Sequence, residues 1–187
     1  MYAFQSLLIE SSSRAMSAID GAMSLWRTQT CVRFKKRTTE SAYAYFHIGS
    51  GCTSYVGRTG RRQMVSLASG CWNPRTVAHE IGGFVLRAFF KFHSGFEYAF
   101  KKYPRSTIDS LGTPYDYRSV MHYQSYAFSA NRRPTIVAKK QGVTLSNKKG
   151  PSEIDVKQMN LLYKCSGGGG EGGGGGGSES KFHQMLG

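Results

Sequence analysis

The chain of 187 residues is long enough for one domain with a sizeable core, or for two very small ones. Its 40% hydrophobic and 13% aromatic content excludes an intrinsically disordered chain, and no uninterrupted apolar run approaches the ~18 residues of a membrane-crossing helix. The net charge of +14, from 25 Lys and Arg against 11 Asp and Glu, favours an anionic partner or surface without choosing one.

The start, Met1 to Ile9, lacks the basic segment and full-length apolar stretch of a signal peptide, and residues 1–13 read as a poorly ordered start. Ser11, Ser12 and Ser13 are good helix caps. Ala15, Met16, Ile19, Ala22, Met23 and Trp26 then recur at helical spacing, which predicts an amphipathic helix over 13–28. Short runs rich in β-branched and aromatic residues follow at Cys31–Lys35, Tyr43–Ile48, Cys52–Gly57 and Gln63–Leu67. They are separated by turn residues such as Gly49-Ser50-Gly51 and Arg58-Thr59-Gly60, so the first half reads as a helix with a small sheet.

Asn73-Pro74 opens a second helix, with asparagine as cap and proline in the first turn. It carries Val77, His79 and Glu80, and Gly82-Gly83 inside it should weaken it by roughly 1 kcal/mol per glycine. Phe84 to Phe92 is a dense apolar block that fits neither the helix nor the strand period. Residues 95–150 are loop-rich, and Pro151 and Ser152 open a final helix over 151–163, just before Cys165. Ten of the 23 glycines lie in the run 167–177, so 167–187 reads as a disordered tail with nothing to bury. No internal repeat is visible.

The four cysteines, Cys31, Cys52, Cys71 and Cys165, include no CxxC pair. Two disulfides in an oxidising compartment is the better reading, and spacing alone leaves all three pairings open.

The chemical centre is Thr76-Val77-Ala78-His79-Glu80-Ile81-Gly82. In zinc peptidases an HExxH helix brings two imidazoles one turn apart to one metal, with the glutamate as general base. A His-Glu pair by itself is a weak signal, but other blocks accompany it in order. Thr38-Thr39-Glu40-Ser41, the run Gly49 to Arg58, Gln63-Met64-Val65-Ser66-Leu67, Cys71 and the segment Thr76 to Gly82 resemble the astacin family of zinc metalloendopeptidases. So do Tyr115-Asp116-Tyr117-Arg118-Ser119-Val120-Met121-His122-Tyr123 with Ala127-Phe128-Ser129. The ending Leu145-Ser146, Glu153-Ile154-Asp155 and Asn160 to Cys165 completes the resemblance, which covers about 14–166.

That resemblance implies an α+β, two-lobed metzincin-like domain. Its N-terminal lobe would be a twisted sheet with two helices, and its irregular C-terminal lobe would end in a long helix. A zinc-holding cleft would separate the lobes. It implies the pairing Cys31–Cys165 and Cys52–Cys71, one Zn(2+) per chain, a peptide or protein substrate, secretion and a monomer. It assigns His79 as first metal ligand and Glu80 as general base. Met121 becomes the methionine beneath the metal, and Tyr123 a distant ligand that stabilises the oxyanion. The strand residues Cys52, Thr53, Ser54 and Tyr55 become the edge that pairs with extended substrate. It further implies some twenty more residues before the first helix, without which the sheet lacks a part.

The family pattern HExxHxxGxxH breaks after Glu80. Gly83 stands at the second ligand position, Leu86 at the turn glycine and Phe89 at the third ligand. His93, fourteen residues from His79, would lie about 21 Å along a continued helix and cannot substitute. The departure is confined to 83–94, which fits a splice, frameshift or gene-model fault better than scattered drift. Proteolysis by this chain is therefore expected to be weak or absent. The alternative is a non-catalytic secreted binder of peptides or anionic matrix.

Three further histidines read as structural or solvated: His47 on a strand face with Tyr43 and Tyr45, His122, and His183 in the tail. The basic clusters Arg33-Lys35-Lys36-Arg37, Arg58-Arg61-Arg62, Arg132-Arg133, Lys139-Lys140 and Lys148-Lys149 are scattered over strands and loops. They lack a nucleic-acid recognition signature, so no nucleic acid is expected. Attachment to an anionic matrix or membrane surface is the sharper alternative to a merely solvated face.

Overall fold

Ser12 starts the first helix: its hydroxyl accepts the Ala15 N–H at 3.3 Å, as an N-cap should. In the computed structural model, which describes residues 1–6, 12–55, 57–85, 109–146 and 149–166, helix α1 spans Ser13–Arg27. It buries Ala15, Ala18, Ile19, Ala22, Met23 and Trp26, the stripe set by the 3.6-residue period. No glycine ends it. Instead the Thr28 hydroxyl donates to the Ser24 carbonyl at 2.9 Å, the Gln29 amide to Leu25 at 3.0 Å, and the Thr30 hydroxyl to Trp26 at 2.6 Å, satisfying the last carbonyls.

Five strands form one mixed sheet: β1 Tyr2–Gln5, β2 Phe34–Lys36, β3 Ala44–His47, β4 Cys52–Ser54 and β5 Gln63–Leu67. Their order is β2-β1-β3-β5-β4. β1 runs parallel to both neighbours, β3 is parallel to β5, and β4 is antiparallel to β5 at the edge. Ala44, Phe46, Val65 and Leu67 alternate into the core beneath α1.

The start of the chain departs from expectation. Tyr2–Gln5 is neither disordered nor missing from the sheet but its second strand, hydrogen-bonded on both sides. The physical reason is long-range. Tyr2 packs edge-on against Phe84 and Tyr163, and Phe4 against Phe46, so the run gains partners that lie far along the chain.

Helix α2 spans Pro74–Val85. The Asn73 side chain accepts the Thr76 N–H at 2.9 Å, as its sequence suggests. α1 and α2 are locked by the Trp26 indole N–H donating to the Ala78 carbonyl at 3.0 Å. Trp26, Phe46, Ile19, Leu67 and Ile81 are fully buried, each contributing about 1.5–3 kcal/mol through apolar area removed from water. The described residues of 109–146 form turns without regular elements. Helix α3, Glu153–Leu162, is ten residues long, shorter than a long terminal helix.

The disulfides are Cys31–Cys165 and Cys52–Cys71, with Cα atoms 5.5 and 5.7 Å apart, the pairing that the family resemblance implies. The first joins the segment after α1 to the end of α3. The second ties edge strand β4 to the short 3-10 turn Ser69–Cys71 before α2. The expected tail 167–187, and the positions Leu86, Phe89, His93 and His183, lie outside the described residues.

Candidate functional site

α2 carries His79 and Glu80 on the side where the 119–123 turn packs. The His79 Nδ1 lies 2.9 Å from the Val120 carbonyl oxygen. A carbonyl can only accept, so the proton sits on Nδ1 and Nε2 keeps its lone pair. Burial lowers the pKa of this imidazole, and the charge of Arg75 lowers it further against the opposing Val120 bond. His79 is thus held neutral and oriented, the state a metal ligand requires.

Val120 is itself held from behind. Ser152 caps α3 by accepting the Asp155 N–H at 3.0 Å, while Asp155 Oδ2 accepts the Ser152 N–H at 2.8 Å, a capping box. The same Oδ2 accepts the Val120 N–H at 2.7 Å, and Oδ1 accepts the Ser119 hydroxyl at 2.6 Å. One buried carboxylate therefore joins the start of α3 to the turn whose carbonyl orients His79. Burial raises the Asp155 pKa, and these donors oppose it.

Glu80 is 3% exposed, and burial pushes its carboxyl up to about 7, partly offset by the Ser54 hydroxyl. The proton of that hydroxyl is donated to the Glu80 main-chain carbonyl at 2.8 Å, which ties edge strand β4 to α2. The Tyr123 phenol is pushed well above its ordinary value, first by burial and then by the charge of Glu80. Its ring meets Phe128 edge-on at 5.2 Å. Tyr123, far from Glu80 in sequence, thus lies within reach of the Glu80 charge.

Met121 is buried beneath α2, and Gly82 lets it come close. A Cβ at Gly82 would sit 2.8 Å from the Met121 sulfur and 3.1 Å from the Trp26 ring. A Cβ at Gly83 would sit 2.9 Å from the Ser54 hydroxyl. The Gly83 carbonyl accepts the Gly57 N–H at 2.9 Å. Gly82 and Gly83 thus cost helix propensity but permit close packing.

Cys52, Thr53 and Ser54 form β4, which pairs only with β5 among the described strands. Tyr55 follows it and is half exposed. His122 donates from Nδ1 to the Tyr123 carbonyl at 2.7 Å and is bonded at Nε2 by the Tyr115 hydroxyl at 2.7 Å, so both its nitrogens are engaged. His47 stacks on Tyr45 away from the site. Sequence reasoning gave no role to Asp155 or Ser119. The S-x-x-D spacing at 152–155 announces a cap, but its reach to Val120 is tertiary.

Zinc, which the fold implies, fits these residues poorly. Among the described residues, no three of His, Cys, Asp and Glu come together to hold an ion. Gly83, where a second imidazole would stand, has no side chain, and a Cβ there would meet the Ser54 hydroxyl at 2.9 Å, so Ser54 would have to shift.

The family model for the astacin peptidases matches residues 1–90 and again 83–164. Zinc metalloproteinase nas-14 of Caenorhabditis elegans is 39% identical over 170 residues, which is 80% of this chain and 33% of that protein. Zinc metalloproteinase nas-4 of the same organism is 37% identical over 177 residues, covering 83% of this chain and 55% of that protein. The chain thus spans about a third to half the length of these curated relatives. Among solved structures it resembles High choriolytic enzyme 1, a hatching enzyme zinc-protease from Oryzias latipes. The TM-score is 0.76 and the identity 28%, covering 88% of this chain and 89% of the other. Myroilysin, at 16% identity and a TM-score of 0.57, shares the fold.

Proposed function

Since the chain belongs to the astacin family, we propose that it is the peptidase domain of a metalloendopeptidase in which substrate binding outlasts hydrolysis. The observation that carries this reading is the convergence of a neutral, oriented His79 with Glu80 and Tyr123 beside edge strand β4. An extended peptide would add to that edge through main-chain hydrogen bonds. Glu80, close to half-protonated near neutral pH, is matched to accepting and returning a proton. The Tyr123 phenol, held protonated, is suited to donate to a developing oxyanion.

Proteolysis by this chain as written is weak or absent. Gly83 offers no donor, and a side chain there would meet the Ser54 hydroxyl. The two family-model matches overlap at 83–90, which supports a splice or frameshift origin for the departing block. The transcript across codons 82–95 tests it. A reading of HxxGxxH would restore an ordinary protease.

The second reading is a non-catalytic binder of peptides, favoured by the missing metal-ligating side chain at Gly83. Two disulfides with no free cysteine among the described residues support secretion into an oxidising space, where the domain would act as a monomer. The charge of +14 supports attachment to an anionic matrix or membrane surface. Purified protein decides between the readings. About one zinc per chain with chelator-sensitive casein hydrolysis establishes a working enzyme. Metal-free, inert protein that retains peptides establishes the binder.

A further inference from the structure

The outer face of the sheet carries a row that the cleft does not use. Ala44 and Phe46 of β3 point into the core, so Tyr43, Tyr45 and His47 lie on the opposite face. The register places Gln5 and Met64 beside Tyr45, and Ser66 beside His47. From Tyr43 to His47 this row is about 13 Å long.

Two arginines are held over it. The Arg37 guanidinium carbon lies 4.2 Å from the Tyr43 ring centre, and that of Arg62 lies 5.2 Å from the Tyr45 centre. Tyr45 and His47 are stacked, with centroids 6.2 Å apart and planes 24° apart. Arg37 donates to the Glu40 main-chain carbonyl at 2.8 Å and to the Gln5 side-chain oxygen at 3.4 Å. Those acceptors position its charge without neutralising it. The nearby carboxylate, Glu40, is taken by Lys35 and by the Thr38 N–H at 2.8 Å. Neither Arg37 nor Arg62 makes an ion pair among the described residues. Arg61, exposed and next to Arg62 in the chain, adds charge of the same sign.

We propose that this Tyr43–Tyr45–His47 face, with Arg37 and Arg62 held over it, binds a sulfated polysaccharide chain. It gives the anionic attachment proposed above a definite site and rests on that reading, not on hydrolysis. Guanidinium presents a planar fork of donors that fits tetrahedral oxyanions, and a guanidinium already held over a ring loses less freedom on binding than a free one. A linear, repeating polyanion matches a row of fixed cations on a flat sheet face. The two disulfides favour a compartment where polysaccharide, not nucleic acid, is the available polyanion.

The test is retention of the full chain on immobilised heparin, with affinity measured against salt. The double variant Arg37→Gln/Arg62→Gln is compared with Arg132→Gln/Arg133→Gln, which removes equal charge from the other lobe. The expected result is a loss of the order of tenfold for the first pair and little for the second. Tyr43→Leu/Tyr45→Leu, which leaves the charge unchanged, should lose part of the affinity. Arg62→Gln alone keeps the test valid if Arg37→Gln loosens the β1–β2 edge. Equal losses for both double variants would overturn the site while leaving anionic attachment standing. No retention at low salt would overturn both. Binding to phosphatidylserine vesicles but not to heparin would replace the polysaccharide with a membrane surface.

Discussion

The Val120 carbonyl and His79 Nδ1, 2.9 Å apart, fix one tautomer of an imidazole 41 residues earlier in the chain. With its pKa lowered by burial, His79 in the metal-free chain should be Nδ1-protonated when neutral and should take its second proton only at a lower pH than an exposed imidazole. Nitrogen-15 NMR of the ring against pH reads this directly. A titration above that of an exposed imidazole, or an Nε2–H tautomer, contradicts it.

The turn behind His79 depends on Asp155. Asp155→Ala leaves the Val120 N–H, the Ser119 hydroxyl and the Ser152 N–H without their acceptor. The expected cost is about 2–4 kcal/mol in denaturant unfolding, because buried donors are left unmet. Asp155→Asn keeps one acceptor and should cost less. Both should shift the His79 ring signals, which a merely local cap defect in α3 would not do.

Glu80 gives stability a definite pH sign. Its carboxyl rises from 4.5 to about 7 on folding, so the folded state holds the proton more tightly. The contribution is fully present below about pH 4.5 and is lost as pH rises through 7. In the metal-free protein this component is about 3 kcal/mol. Glu80→Gln should flatten the decline between pH 5 and pH 8 in equilibrium unfolding. An unchanged slope would mean that Glu80 ionises as freely folded as unfolded.

Restoring the missing ligand alone should fail for a packing reason. Gly83→His gains about 0.4 kcal/mol of helix propensity, but its Cβ meets the Ser54 hydroxyl at 2.9 Å. Overpacking of this kind costs about 1–3 kcal/mol, so the net effect is destabilising. Ser54→Ala should relieve it, and a double-mutant cycle should give a favourable coupling of about 1 kcal/mol. Additive unfolding energies would show that the two positions do not collide.

The legible parts of the fold were those governed by local pattern. β5 occupies Gln63–Leu67 as its alternation indicates, and α1 ends within a residue of its expected bounds. β1 was not legible, because four residues carry too little alternation and its partners lie far along the chain. At the site, His79 and Glu80 form a pair that is a weak signal alone, and their roles came from the family resemblance of the surrounding blocks. The link from Asp155 to Val120 to His79 was not, since a carboxylate three residues after Ser152 serves equally well as an ordinary cap. The Arg62–Tyr45 contact joins β3 to the loop before β5, positions 17 apart, beyond any local signal.

The Cys31–Cys165 bridge closes a ring around most of the folded chain. A single backbone cut anywhere between those two residues would leave one covalent molecule. On a non-reducing gel such nicked protein runs near full mass, and its fragments separate only after a thiol is added. A sample judged intact without reductant can thus already have been cleaved.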